Sequence, residues 1–127
     1  MATSVRGRSE PRNALGRRGE ELAAAHLRRN AGMRLLARNW RCAAGEIDIV
    51  ARAAGVLVIA EVKTRTSLRF GSPLEAVTPE KRRRLRRLAR LWAIQNGAGE
   101  ARARIDTVAV LVPPHGPCLI KHQPGVA

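Results

Sequence analysis

Apolar residues recur along this chain with two different periods. Between Asn13 and Asn30 the period is helical. Gly16, Glu20, Ala23, Ala24 and Leu27 share one face, and Arg17, Arg18, Glu21, Ala25 and Arg28 take the other. Asn13 is a candidate N-cap and Gly32 stands past the end, so a first helix is expected over 13–30. A second is expected to start with Thr78 as cap and Pro79 at the first helical position, and to run to Asn96, with Gly97 as the stop. Its apolar stripe is Leu85, Leu88, Leu91 and Trp92. The other apolar runs are short and strand-like, at 34–42, 46–50, 56–65, 103–112 and 118–122. Basic residues interrupt the first run, which suits an edge or a half-exposed strand. Arg52 to Gly55 has the composition of a hairpin connection, and 66–77, with Gly71 and Pro73, that of a loop.

The order α-β-β-β-α-β-β predicts an α/β domain, a mixed central β-sheet flanked by helices. A chain of 127 residues suffices for one hydrophobic core. The domain is expected over 13–122. Residues 1–12 would form a disordered basic arm and 123–127 a frayed tail.

One strand departs from its own pattern. In VLVIAEVKTR the apolar run gives way to Glu61 and Lys63, with Arg65 next on the same side. Glu and Lys are poor strand formers and costly to bury unpaired. On the preceding strand Glu46, Asp48 and Val50 would share a face. An even hairpin loop would set Asp48 and Glu61 on the same side of neighbouring strands, and an odd one would separate them. In the first case two carboxylates and an ammonium converge. Such a set suits Mg²⁺ or Mn²⁺ and a phosphate oxygen. Glu20 faces inward from the first helix and can reach that cluster as a third acid, whereas Glu21 is an ordinary surface residue.

Charge narrows the partners. Lys and Arg total 24 against 10 Asp and Glu, a net +14, which points to a polyanion such as DNA, RNA or an anionic membrane surface. The run KRRRLRRLAR has no acid between Lys81 and Gln95. Lys81, Arg83, Arg86, Arg87 and Arg90 therefore form a candidate phosphate-backbone surface, joined by Arg65 from the strand. A membrane role is disfavoured, because the leucines and Trp92 are needed for the core. The three aromatics, Trp40, Phe70 and Trp92, are too few for a single-strand stacking platform. Cys42 and Cys118 lack ligand spacing, no apolar stretch is long enough to span a bilayer, and the first residues lack a signal-like core. A cytoplasmic protein with free thiols is expected.

The blocks LGRRGEELAAAHL, RNWRCAAGEIDIVAR, LVIAEVKTRTSLRFGSPLEAV, KRRRLRRLA and RIDTVAV occur in order over nearly all of 14–112. They resemble the YraN-type family of small bacterial proteins. That family in turn resembles the restriction-endonuclease-like PD-(D/E)xK superfamily, archaeal Holliday junction resolvases in particular. The resemblance implies a metal-dependent nuclease site. Asp48 would be the motif's Asp, Glu61 and Lys63 its E-x-K, and Glu20 the helix acid. The Val62 carbonyl would complete the metal shell. The motif's proline is replaced by Ile47. The implied substrate is nucleic acid, DNA ahead of RNA, at branched or damaged structures. Cutting two strands would favour a homodimer.

Blander readings stand beside these. Asp48, Glu61 and Lys63 can be a structural ion-pair cluster, and Arg65 can pair with Glu20 rather than phosphate. Asp106, set in an apolar strand, suits a structural pair with Arg104 or Lys81. His26 reads as a partly buried packing residue, and His115 and His122 have no ligand spacing. The whole chain can be a non-catalytic nucleic-acid or ribonucleoprotein binding factor that keeps a nuclease fold.

Overall fold

A computed structural model describes residues 10–67 and 77–125. Helix α1 spans Glu10–Arg29, β1 Arg34–Cys42, β2 Gly45–Ala53, β3 Val56–Arg65, α2 Pro79–Gln95, β4 Ala103–Leu111 and β5 Leu119–Gln123. This is the order and the α/β class that the hydrophobic pattern predicts. Several boundaries differ. β2 runs on to Ala53, so the expected Arg52 to Gly55 connection shrinks to two residues, and β5 reaches Gln123, which pairs with Thr107, so the expected frayed tail begins inside the last strand. α1 begins at Glu10, so Asn13 lies inside it rather than capping it. Pro11 explains the earlier start, since its missing N–H costs nothing in a first helical turn. Residues 1–9 of the expected arm, and Arg69, Phe70 and Gly71 of the loop, lie outside the described residues.

The five strands lie in the order β1-β2-β3-β4-β5. All neighbours are antiparallel except β3 and β4, which α2 connects as a crossover. The inner position of β3 and β4 explains the apolar stretches Val56–Ala60 and Val108–Leu111. β1 is an edge, as its arginines suggest. Each helix covers one face. Ala23, Ala24 and Leu27 of α1 pack on Ile49, Ala51, Val58, Ala60, Val108 and Val110. Leu85, Leu88, Ala89 and Trp92 of α2 pack on Ile47, Val50, Leu57, Ile59 and Ile105. Thr78 caps α2 by accepting the N–H of Lys81 at 3.1 Å. Among the described residues no helix is long and apolar enough to cross a membrane.

Two details fix the positions of the acids. The β2–β3 connection is Ala54–Gly55, with φ 48° and 82°, a two-residue turn with both residues left-handed. The loop is thus even. At the other contact, Gly19 of α1 lies against Thr64 of β3. A Cβ there would stand 1.9 Å from Thr64 Oγ1 and 2.9 Å from its Cβ. Only a glycine lets the helix lie this close, and Glu20 follows it. Gly19→Ala should therefore destabilise the domain by roughly 1–3 kcal/mol, although alanine is the better helix former. A urea midpoint equal to or above that of the natural protein would refute this packing.

Asp106 of β4 is fully buried. Arg104 donates to both its oxygens, Nε to Oδ1 at 2.8 Å and Nη2 to Oδ2 at 2.9 Å. Nε2 of His122 lies 2.7 Å from Oδ2, and Gly125 N–H donates to Oδ1 at 3.0 Å. Of the two partners considered from sequence, Arg104 is the one. Burial alone would raise the Asp106 pKa, but these hydrogen bonds outweigh it and hold the carboxyl below its usual value. His26 is half-buried and packs edge-on against His122, with ring centres 6.2 Å apart.

Candidate functional site

The β2–β3 ladder stops short. Its pairs run from Ala53↔Val56 to Ile49↔Ala60, and Asp48 and Glu61 come next in the same register. The even turn therefore puts the two carboxylates at one end of the hairpin. Asp48 replaces the missing ladder contact with its side chain, whose Oδ2 accepts the Val62 N–H at 2.8 Å. The Leu57 N–H and the Arg65 carbonyl both bond on the β4 side. Strand alternation then turns the N–H and the carbonyl of Val62 towards β2, where Asp48 lies.

The expected face of Glu46, Asp48 and Val50 is broken. Ile47 packs with Val50 against α2, while Ile49 packs against α1. Strict alternation would put Ile47 and Ile49 together, so β2 changes face across Asp48. Opposite it, between the pairs Arg38↔Ile49 and Trp40↔Ile47, Asn39 takes a left-handed φ of 51°. Asparagine tolerates that conformation better than most residues. The kink brings the Asn39 side chain within hydrogen-bonding reach of Glu20.

Glu61 is the common wall of two hollows. On the α2 side a pocket of about 180 Å³ is lined by Glu46, Asp48, Glu61, Lys81 and Arg84. On the α1 side one of about 310 Å³ is lined by Glu20, Glu61, Val62, Lys63 and Arg65. The sequence-derived set is thus gathered around one strand end, with Glu20 and Asp48 in different hollows. Arg65 donates to its neighbour's carbonyl, Thr64 O, at 3.3 Å. Glu21 pairs with Arg38 at 3.2 Å on the surface, as its helix face suggests.

Desolvation dominates the electrostatics of the site's acids. Burial is the main cause that pushes the Asp48 carboxyl up to about 7, with Glu20, Glu61 and Glu46 adding to it and the Val62 N–H opposing. Burial also raises Glu20, against the pull of Asn39 and Arg38. Lys63 is shifted the other way, lowered by burial and then by the adjacent Lys81. Lys81 forms an ion pair with Glu61 Oε2. The other oxygen, Glu61 Oε1, is buried without a hydrogen-bond partner.

Glu61 Oε1 thus stands as an acceptor without a donor, in a hollow it shares with a second carboxylate whose pKa is raised. Among the described residues no group of three or more His, Cys, Asp or Glu side chains is arranged to hold a metal. A cation here would rest on Asp48, Glu61 and the Val62 carbonyl. Three hard oxygens suit Mg²⁺ or Mn²⁺, which keep most of their waters, and not the nitrogen–sulfur set of structural zinc.

Several residues escaped the sequence pattern. Lys81 lines the acidic pocket and pairs with Glu61, rather than standing on the outer basic face. Arg84 lines the same pocket. Asn39 is hidden inside an apparently continuous strand, and its only signal was an asparagine where a β-former is usual. Arg86 and Arg90 stand further along α2, around a separate groove with Ala93 and Ala101.

Comparison with known proteins adds a family. The profile described as "Uncharacterised protein family UPF0102" matches residues 19–110. The chain is 53% identical over 118 residues to a UPF0102 protein of Streptomyces coelicolor, covering 91% of this chain and 90% of that one. It is 52% identical over 115 residues to one from Nocardioides sp., covering 91% and 92%. A UPF0102 protein of Kineococcus radiotolerans is 50% identical over 117 residues, covering 91% and 95%.

Proposed function

The chain belongs to the uncharacterised protein family UPF0102, whose name assigns no activity, and from the geometry of its acidic strand end we propose that it is a metal-dependent nuclease of the cytoplasm. The substrate would be a DNA phosphodiester, at branched or damaged structures. One observation carries this reading: the buried, unpartnered Oε1 of Glu61, a residue that shares one hollow with Asp48 and Lys81 and the other with Lys63. Asp48, Glu61 and the Val62 carbonyl would hold Mg²⁺ or Mn²⁺. That ion would supply charge neutralisation on the phosphodiester, a Lewis-acid role.

The chain's own groups do the rest. Lys63 reaches the α1-side hollow beside Glu61 and can place its ammonium against a non-bridging phosphate oxygen. Glu20, in the same hollow and oriented by Asn39, is placed to assist the proton transfers. Lys81 neutralises Glu61 in the cation-free protein. The basic face of α2 would hold the DNA backbone, with affinity falling steeply with salt. The described residues hold one such centre, so cutting both strands of a duplex would take two copies.

A second reading has its own support. The Lys81–Glu61 pair already offsets one carboxylate without any cation, which suits a pure nucleic-acid binding factor. Labelled single-stranded, duplex, flap and four-way-junction DNA separate the two. The nuclease should cut at least one of them with Mg²⁺ or Mn²⁺ and none with chelator. Asp48→Asn, Glu61→Gln and Lys63→Ala should each lose cleavage yet keep binding. No cleavage of any substrate, with equal binding by all four proteins, would leave the binding factor.

A further inference from the structure

The arginines of α2 serve different hollows. Between α2 and the turn that joins β1 to β2 lies a pocket of about 620 Å³. It is lined by Arg83, Arg84 and Arg87 around a floor of Cys42, Ala43, Ala44 and Leu91. No ion pair or side-chain hydrogen bond among the described residues engages these three guanidinium groups. Arg83 and Arg87 are one turn apart, a like-charged pairing that costs helix stability. No acid lines the pocket to offset them. A concave site with three free guanidinium groups and a short apolar floor matches a phosphodiester with its sugar. Arg84 also lines the acidic pocket beside Asp48 and Glu61, so the two hollows share a wall.

We propose that the pocket of Arg83, Arg84 and Arg87 is a second phosphate subsite. It holds a phosphodiester next to the one placed at Asp48, Glu61 and Lys63, on the same nucleic-acid strand. The strand then runs from the N-terminal end of α2 across Arg84 towards the β1–β2 turn. This inference rests on the nuclease reading for what lies in the acidic pocket. It depends on the arginine pocket alone for where the neighbouring phosphate sits.

The chain carries its own reporter. Cys42 lines this pocket, and Cys118 is elsewhere, at 3.7 Å from Arg18. Both thiols are free and half-buried. The natural protein is alkylated with iodoacetamide, in chelator, with and without a saturating mixed-sequence single-stranded oligonucleotide, and each cysteine is followed by peptide mass spectrometry. The oligonucleotide should slow Cys42 at least about fivefold and leave Cys118 within twofold, since a strand seated there excludes the reagent. Arg84→Gln/Arg87→Gln should lose that protection. It should also reduce the slope of log affinity against log salt by about 1.4, two single-strand contacts at roughly 0.7 each. The charge-matched Arg28→Gln/Arg29→Gln, on the exposed end of α1, should keep both the protection and the slope. Bound oligonucleotide with Cys42 unprotected, or with both cysteines protected alike, overturns the subsite. Protection of Cys42 without cleavage of any DNA removes the nuclease reading and leaves the subsite standing. Cleavage with Cys42 unprotected does the reverse, and absence of oligonucleotide binding overturns the subsite.

Discussion

Asp48→Asn is expected to melt roughly 10 °C higher than the natural protein at pH 8 in chelator, and to lose cleavage by about a hundredfold or more. The two effects have one cause. The Asp48 carboxyl, raised from 3.8 to about 7, is held among three other acids and largely removed from water. Between those pH values the native chain holds a proton that the unfolded chain has released. Stability is therefore fully present below about pH 3.8 and is lost as the pH rises to about 7, a difference of roughly 2–4 kcal/mol. Asparagine has no charge to strain, and its oxygen can still accept the Val62 N–H. It removes most of the slope between pH 4 and 8, with Glu20 leaving a smaller one of the same sign. Mg²⁺ or Mn²⁺ should raise the melting temperature of the natural protein at pH 8 and have no such effect on the variant. A variant that melts below the natural protein at pH 8 in chelator would sink this account of the site.

Asp106→Ala should act in the opposite direction and cost roughly 3–5 kcal/mol at pH 7. The aspartate ties β4 to β5 and to the chain beyond, through Arg104, His122 and Gly125. Its removal leaves donors aimed at an empty, buried position. The folded pKa is depressed, so this stability is present above about pH 3.8 and disappears as acid protonates the native carboxyl. The gap between the two proteins in urea unfolding should narrow on acidification. A gap under about 1 kcal/mol at pH 7 would mean that the cluster is not stabilising in net terms.

The element order and the two packing faces of the helices were legible because amphipathic periods are local. Ala23, Ala24 and Leu27 announce one face and Leu85, Leu88 and Trp92 the other. The separation of Glu20 from Glu21 followed from the same arithmetic, and Glu21 does sit on the surface with Arg38. What stayed hidden depends on contacts between distant segments. Nothing in EIDIVARAAGVLVIAE sets the loop parity uniquely, so the meeting of Asp48 and Glu61 waited on the φ values of Ala54 and Gly55. Kinks at Asn39 and Asp48 break strict alternation, which a period-2 pattern cannot show. Lys81 looked like one more cation of a basic helix. Its place beside Glu61 is a contact between distant segments, which a helical period does not show. Asp106 had two candidate partners in sequence, and Arg104, two residues away on the same face of β4, is the one it meets.

The two-residue turn also bears on how the molecule assembles. Asp48 and Glu61 are separated by a single tight hairpin, the kind of unit that closes within microseconds. The parallel pairing of β3 with β4 must wait for the α2 crossover, whose long loop closure is the slower step. Like the β1–β2 hairpin, the β2–β3 contact is local in sequence, so the carboxylates are expected to meet before the crossover closes. Their strain is imposed later, when α1 and α2 close over the hairpin. A one-residue insertion at Ala54–Gly55 would leave every core residue available for burial yet shift the register of β2 against β3. Such a chain should still collapse, at a rate set by the unchanged crossover, and would do so with its two acids on opposite sides of the sheet.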